Sequence, residues 1–274
     1  MAPSNLGDWT GLLAPFAYQS SQVDWCEPNY VHSPYVAEFF NTISSIPICL
    51  AGALHVGSYE LFARQFDLRV RILAYFVICV GLGSIWFHMT LSTIGQLADE
   101  LFILWLLALG QAWYFPIAIL PDNAKVKRSH LAVFFCSLAL ISTCLCHTYP
   151  VVNHFALCAI SLPQYTGMTI AYFTRKSPPP QMLTHMYYGC MGVWILAFLV
   201  WIADQTICTT LLAWNIPYLH ATWHILSSIG CCHSLNLSVY LDLESSSKFN
   251  QMTIKLRKFP QNLGYFSYQY LSIS

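Results

Sequence analysis

Residues 69–90 read RVRILAYFVICVGLGSIWFHMT. After Arg71 no charged side chain interrupts the run until His88, and at 1.5 Å per residue the segment is long enough to cross a hydrocarbon core roughly 30 Å thick. Its apolar residues fill every face rather than one stripe, so the expected surroundings are lipid and other helices on all sides. Comparable runs stand at 36–57, 96–117, 130–147, 150–173, 182–204 and 217–240. Only His147, Pro150, Asn153 and His154 separate the fourth run from the fifth. A proline there suits a tight turn.

Composition agrees. Hydrophobic residues make up 56% of the 274-residue chain and charged residues 9%, against roughly 25% charged in an ordinary soluble protein. A membrane barrel would need strands of about ten residues alternating in polarity, and the chain shows no such dyad pattern. The expectation is an all-α, polytopic membrane protein: a seven-helix bundle over 36–240, an N-terminal segment 1–35 and a C-terminal tail 241–274.

Basic residues then orient the bundle, because short loops that keep Lys and Arg stay on the cytosolic side. Arg64, Arg69 and Arg71 lie between the first and second runs, Lys125, Lys127 and Arg128 between the third and fourth, and Arg175 and Lys176 between the fifth and sixth. Lys248, Lys255, Arg257 and Lys258 follow the seventh, which completes the 12 Lys and Arg of the chain. The pattern predicts a luminal or external N-terminus and a cytosolic C-terminus. The first 35 residues lack the basic start and short apolar core of a cleavable signal, so the N-terminus is expected to be retained. A formal net charge of zero argues against nucleic acid as a partner. No obligate protein partner is evident.

Ionisable residues at membrane depth are costly and therefore candidates for function. His88 ends the second run while His220 and His224 begin the seventh, and opposite directions of travel put all three at similar depth near the luminal end. His220 and His224, four apart, project from one helix face. Three protein nitrogens with one open position form the ligand set of catalytic zinc. His55, His130, His147, His154, His185 and His233 lack such company and read as loop, interface or packing histidines.

Ser84 lies one turn before His88, and Asp99 sits at the luminal start of the third run. A carboxylate beside a metal-activated water can accept and return its proton, and a hydroxyl can orient water or stabilise an oxyanion. The alternatives are a Ser84 bonded back to a helix carbonyl and an Asp99 that caps the third helix. Before the first run, Asp24, Trp25, Glu27 and Asn29, with Glu38 at its start, supply oxygen atoms and no basic partner. They read either as a calcium site or as a solvated acidic loop. Cys26 and Cys208 both fall on the luminal side, where a disulfide could persist or two thiols remain free.

At SSQVDWCEPNY (20–30), AEFFNTIS (37–44), GLGSIWFHMTLSTIGQLADEL (81–101) and PYLHATWHIL (217–226) the chain resembles the alkaline ceramidases, members of a larger group of seven-span hydrolases that includes the adiponectin receptors. The resemblance implies hydrolysis of the ceramide amide to sphingosine and a fatty acid, in the endoplasmic reticulum or the Golgi membrane. It further implies zinc on His88, His220 and His224, with Ser84 and Asp99 beside it. Calcium on Asp24, Trp25 (through its backbone), Glu27, Asn29 and Glu38, and a Cys26–Cys208 disulfide, are implied by the same comparison. Ala203 before Asp204 departs from a Ser-Asp pair of several members, so the resemblance assigns no role there. A seven-span lipid-binding receptor with structural zinc is the alternative, but that branch implies a cytosolic N-terminus, opposite to the charge pattern. A transporter would show inverted repeats with broken helices, which are not evident.

Overall fold

The structure is a computed structural model that describes residues 11–60, 67–120, 126–146, 149, 151–245 and 253–273. Arg64, Lys125, His147, Pro150 and Lys248 lie outside the described residues. The chain forms α1 (Phe39–Ser44), α2 (Ile46–Ser58), α3 (Leu68–Thr90), α4 (Thr93–Tyr114), α5 (Arg128–Cys146), α6 (Val151–Phe173), α7 (Gln181–Thr206), the short α8 (Cys208–Ala213) and α9 (Leu219–Glu244). These follow the apolar runs to within a few residues. Five stretches, Phe39–Ser58, Leu68–Thr90, Thr93–Tyr114, Arg128–Cys146 and Gln181–Thr206, are long and apolar enough to cross a membrane. The molecule is a multi-pass membrane protein.

Two local breaks in the helical path position side chains near the end of the bundle that holds His88, His220 and His224. The first is at Ser45, where Pro47, just inside α2, has no N–H to give. The second is the turn between α3 and α4. Leu91 closes α3 in the left-handed conformation at φ 48°, and the Ser92 side chain then caps α4 by accepting the Gly95 N–H. Asp99 is therefore not the N-cap of that helix, which begins three residues earlier than its apolar run. Gly83 lets α3 and α4 approach closely, since a Cβ there would lie 2.9 Å from the Asp99 backbone nitrogen.

At the far end of the bundle the basic residues find acidic partners. Asp67 caps α3 and pairs with Arg69 at 2.8 Å, Arg69 and Arg128 both reach Asp242, and Arg175 meets Glu244 at 2.5 Å. The starts of α3 and α5 and the segment after α6 are thereby tied to the last turn of α9.

The tail departs from an all-α chain. Ile254–Phe259 (β1) pairs antiparallel with Tyr268–Ile273 (β2), Ile254 opposite Ile273 and Phe259 opposite Tyr268. The hairpin packs against the bundle. Leu271 is fully buried in the main apolar cluster with Tyr59, Leu237 and Tyr240. Tyr268 Oη lies 2.9 Å from Ser228 Oγ, His233 donates to the Tyr265 carbonyl, and Gln269 donates to His185. His185 and His233 thus have packing roles.

Candidate metal centre

Helix spacing brings the histidines together. His220 and His224 stand one turn apart on α9 and face His88 in the last turn of α3, all three buried. One ring nitrogen from each lies within 4.8 Å of the others. Among the described residues this is the group of three metal-ligating side chains that converges in this way.

The surroundings select which nitrogens are free. Asn41, just before the Ser45 break, keeps its carbonyl available to side chains, and His224 Nδ1 sits 3.1 Å from it and 2.9 Å from Ser44 Oγ. That contact turns His224 Nε2 towards the site. His88 Nδ1 is 2.5 Å from Glu38 Oε2, which leaves His88 Nε2 buried with no hydrogen-bond partner. His220 Nδ1 is also buried and unpartnered, and the Trp25 indole stacks on its ring at a centroid distance of 3.5 Å. Neutral imidazoles whose second nitrogen is held by a carboxylate or a backbone carbonyl are how proteins orient histidines towards a metal. Orphaned inward nitrogens and an all-nitrogen donor set fit zinc.

Ser84 Oγ lies 3.5 Å from His224 Nε2 and accepts from Ser45 Oγ at 3.1 Å. Asp99 interacts with Ser84 across the α3–α4 contact that Gly83 permits. Both line a cavity of about 280 Å³ that begins at Trp25, His220 and His224 and ends beside Tyr114, Gln164 and Ser238. From His224 to Ser238 is fourteen residues of α9, about 21 Å at the helical rise. Its walls are mostly apolar, with Val77, Leu106 and Leu157 among them. Such a space accepts an alkyl chain lengthwise with its polar end at the histidines.

The second cluster is only partly gathered. Asp24 accepts from Asn29 Nδ2 at 3.1 Å, and Glu38 Oε1 accepts from the Trp25 N–H at 3.0 Å. Glu27 caps α1, taking the N–H groups of Phe40 at 2.7 Å and Asn41 at 2.8 Å. Burial raises its carboxyl above the usual range, while those two N–H groups pull it back. Each carboxylate oxygen has two acceptor positions, so Glu27 keeps one free on each. Asn29 Oδ1 is buried with no partner, an acceptor that a hard cation would satisfy. Asp24, Glu27 and Glu38 do not converge as the histidines do.

Cys26 and Cys208 are bonded, which ties the N-terminal segment to the start of α8. Asp204 reinforces that tie: it is buried and accepts the N–H of Cys26 at 3.2 Å and of His220 at 3.1 Å. Sequence reasoning missed Asp204 as a support for α9, although a lone acid at the end of an apolar helix was a usable signal. It also missed Asn41 and Ser44, whose roles depend on the Ser45 break, and the Glu38 contact to His88.

Comparison with known proteins matches residues 17–267 to the family model described as Ceramidase. The chain is 33% identical over 247 residues to alkaline ceramidase 1 of Homo sapiens, covering 90% of this chain and 92% of the relative. It is 33% identical to alkaline ceramidase of Drosophila melanogaster over 93% of this chain and 88% of the relative. With alkaline ceramidase 3 of Mus musculus the identity is 27%, over 81% and 84%.

Proposed function

The chain belongs to the ceramidase family and hydrolyses the amide bond of ceramide, and on that premise we propose how its residues divide the work. His88, His220 and His224 hold zinc. Bound there, zinc supplies Lewis-acid polarisation of the amide carbonyl and acidifies water. Asp99 takes the proton of the attacking water and returns it to the leaving amine, which departs as sphingosine. Ser84 donates to the carbonyl oxygen as negative charge grows on it. The apolar cavity holds an alkyl chain of the lipid and keeps bulk water from the site.

Around this centre the supporting residues have separate tasks. Glu38 and Asn41 orient His88 and His224, Asp204 fixes the backbone of His220, and Trp25 packs its ring. Asp24, the Trp25 carbonyl, Glu27, Asn29 and Glu38 bind calcium, which holds the N-terminal segment over the histidines without taking part in the chemistry. Seven spans carry the enzyme through the endoplasmic reticulum membrane, or that of the Golgi, with segment 1–35 luminal and tail 241–274 cytosolic. The gathering of Arg69, Arg128 and Arg175 at the end opposite the disulfide supports that orientation.

The observation that carries the reading is the convergence of three buried histidines at the mouth of an apolar cavity long enough for a lipid chain. Its test is zinc content and turnover in His220→Ala and His224→Ala. Both are expected to fall to background, because two remaining nitrogens hold the metal poorly. Full zinc occupancy in either variant removes that residue from the ligand set.

A further inference from the structure

The C-terminal hairpin carries charge that the catalytic reading does not use. Lys255, Arg257 and Lys258 lie within four consecutive positions of β1, and none of them pairs with an acidic side chain among the described residues. This sets them apart from Arg69, Arg128 and Arg175 at the same end of the bundle, each of which reaches a carboxylate. The three cations line an open cavity of about 490 Å³ between the hairpin and the first turns of α7. Met182 and Leu256 supply apolar wall, and His185 lies beside them.

Like charges two residues apart on one strand face the same side, about 7 Å from one another, and repel unless an anion sits between them. Lys255 and Arg257 stand in this relation. Apolar side chains of the strand end and its turn are exposed, with Phe259 68% and Leu263 51% accessible. Aromatic side chains exposed at the end of a membrane bundle suit the interface between lipid and water. A soluble anion would have no use for an apolar wall, whereas a phospholipid places its phosphate at the cations and its glycerol and acyl carbons against Met182 and Leu256.

We propose that this cavity binds the headgroup of an anionic phospholipid, held by Lys255, Arg257 and Lys258. A lipid bound between β1 and the first turns of α7 would brace the hairpin against the bundle. The proposed orientation of the bundle turns this end to the cytosolic leaflet, where anionic headgroups concentrate. That assignment rests on the topology, whereas binding to the cavity does not, and a nanodisc exposes both faces.

The test uses the full-length protein in phosphatidylcholine nanodiscs that contain a minor fraction of phosphatidylserine. The protein is re-extracted in mild detergent, and the retained lipid is quantified by mass spectrometry. Wild type is expected to retain phosphatidylserine at least about tenfold better than a variant with Lys255→Gln, Arg257→Gln and Lys258→Gln. Arg71→Gln, a change at the same end of the bundle but outside the cavity, is expected to retain it as wild type does. Unchanged helicity and ceramide hydrolysis in pure phosphatidylcholine report that the triple variant is folded. Should it fold poorly, single Lys255→Gln and Arg257→Gln variants carry the comparison. Equal retention by wild type and the Gln variants overturns the proposal. So does displacement of the lipid by millimolar inorganic phosphate, which would mark a site for a soluble anion.

Discussion

Glu38→Gln probes the link between the two clusters most sharply. The Glu38 carboxylate is fully buried and accepts from three donors: the Trp25 N–H at 3.0 Å, Asn41 Nδ2 at 3.1 Å and His88 Nδ1 at 2.5 Å. Glutamine keeps the shape but has one oxygen and a donor amide, so it can serve one side of this arrangement and not both. Whichever way the amide turns, either His88 or Trp25 loses its acceptor. Loss of a carboxylate that orients a metal-bound histidine typically costs 10- to 100-fold in metal affinity, about 1.4 to 2.8 kcal/mol. The assay is zinc retention against a graded chelator, with ceramide turnover measured in parallel at saturating calcium so that the calcium contribution is constant. Zinc affinity is expected to fall by that factor, and turnover to recover partly when zinc is added. Because the glutamine oxygen can still face His88 at the expense of Trp25, Glu38→Ala is measured beside it, and wild-type zinc affinity in both variants would refute the view that Glu38 positions His88.

Asp99→Asn is expected to keep its zinc and lose about 10²- to 10⁴-fold in turnover, because an amide cannot accept the proton; metal content and rate measured on one preparation check it. Gly83→Val places side-chain atoms where even a Cβ would lie 2.9 Å from the Asp99 nitrogen. Pushing α4 off α3 in this way should lower turnover about 10²-fold while circular dichroism shows the helices intact. Asp204→Ala leaves the buried Cys26 and His220 N–H groups unpaired, and its midpoint of thermal unfolding should drop, consistent with a loss of about 1–3 kcal/mol for each. A membrane-impermeant reductant on sealed vesicles should open the Cys26–Cys208 bond only from the side that exposes the N-terminus, and peptide mapping reads which side that is.

The helices and the histidine triad were legible in the sequence because each rests on one-dimensional spacing. An apolar run of about 20 residues has little choice but to form a helix in lipid, where every backbone group must be satisfied internally. His220 and His224 are adjacent on α9 by periodicity alone, and reversal of chain direction brings His88 level with them. The supporting contacts were not legible for the opposite reason. Glu38 meets His88 across 50 residues and Asp204 meets Cys26 across 178, and no periodicity reports such pairs. The Ser45 break shows in sequence only as a proline two positions on, which also occurs in unbroken helix starts. IKLRKF, with its three cations, reads as a basic tail, and its inward Ile254 and Leu256 become visible as a strand face only once β2 is beside it. The reading of Asp99 as a helix cap failed because Ser92, a better cap, stands earlier.

The central claim is that His88, His220 and His224 hold the metal on which ceramide hydrolysis depends. Its most direct test is sphingosine release by the purified enzyme before chelation, after complete removal of metal, and after return of zinc alone. The expected result is loss of activity with the metal and recovery with zinc in wild type, and no recovery in His220→Ala. Undiminished hydrolysis by the metal-free protein would contradict it.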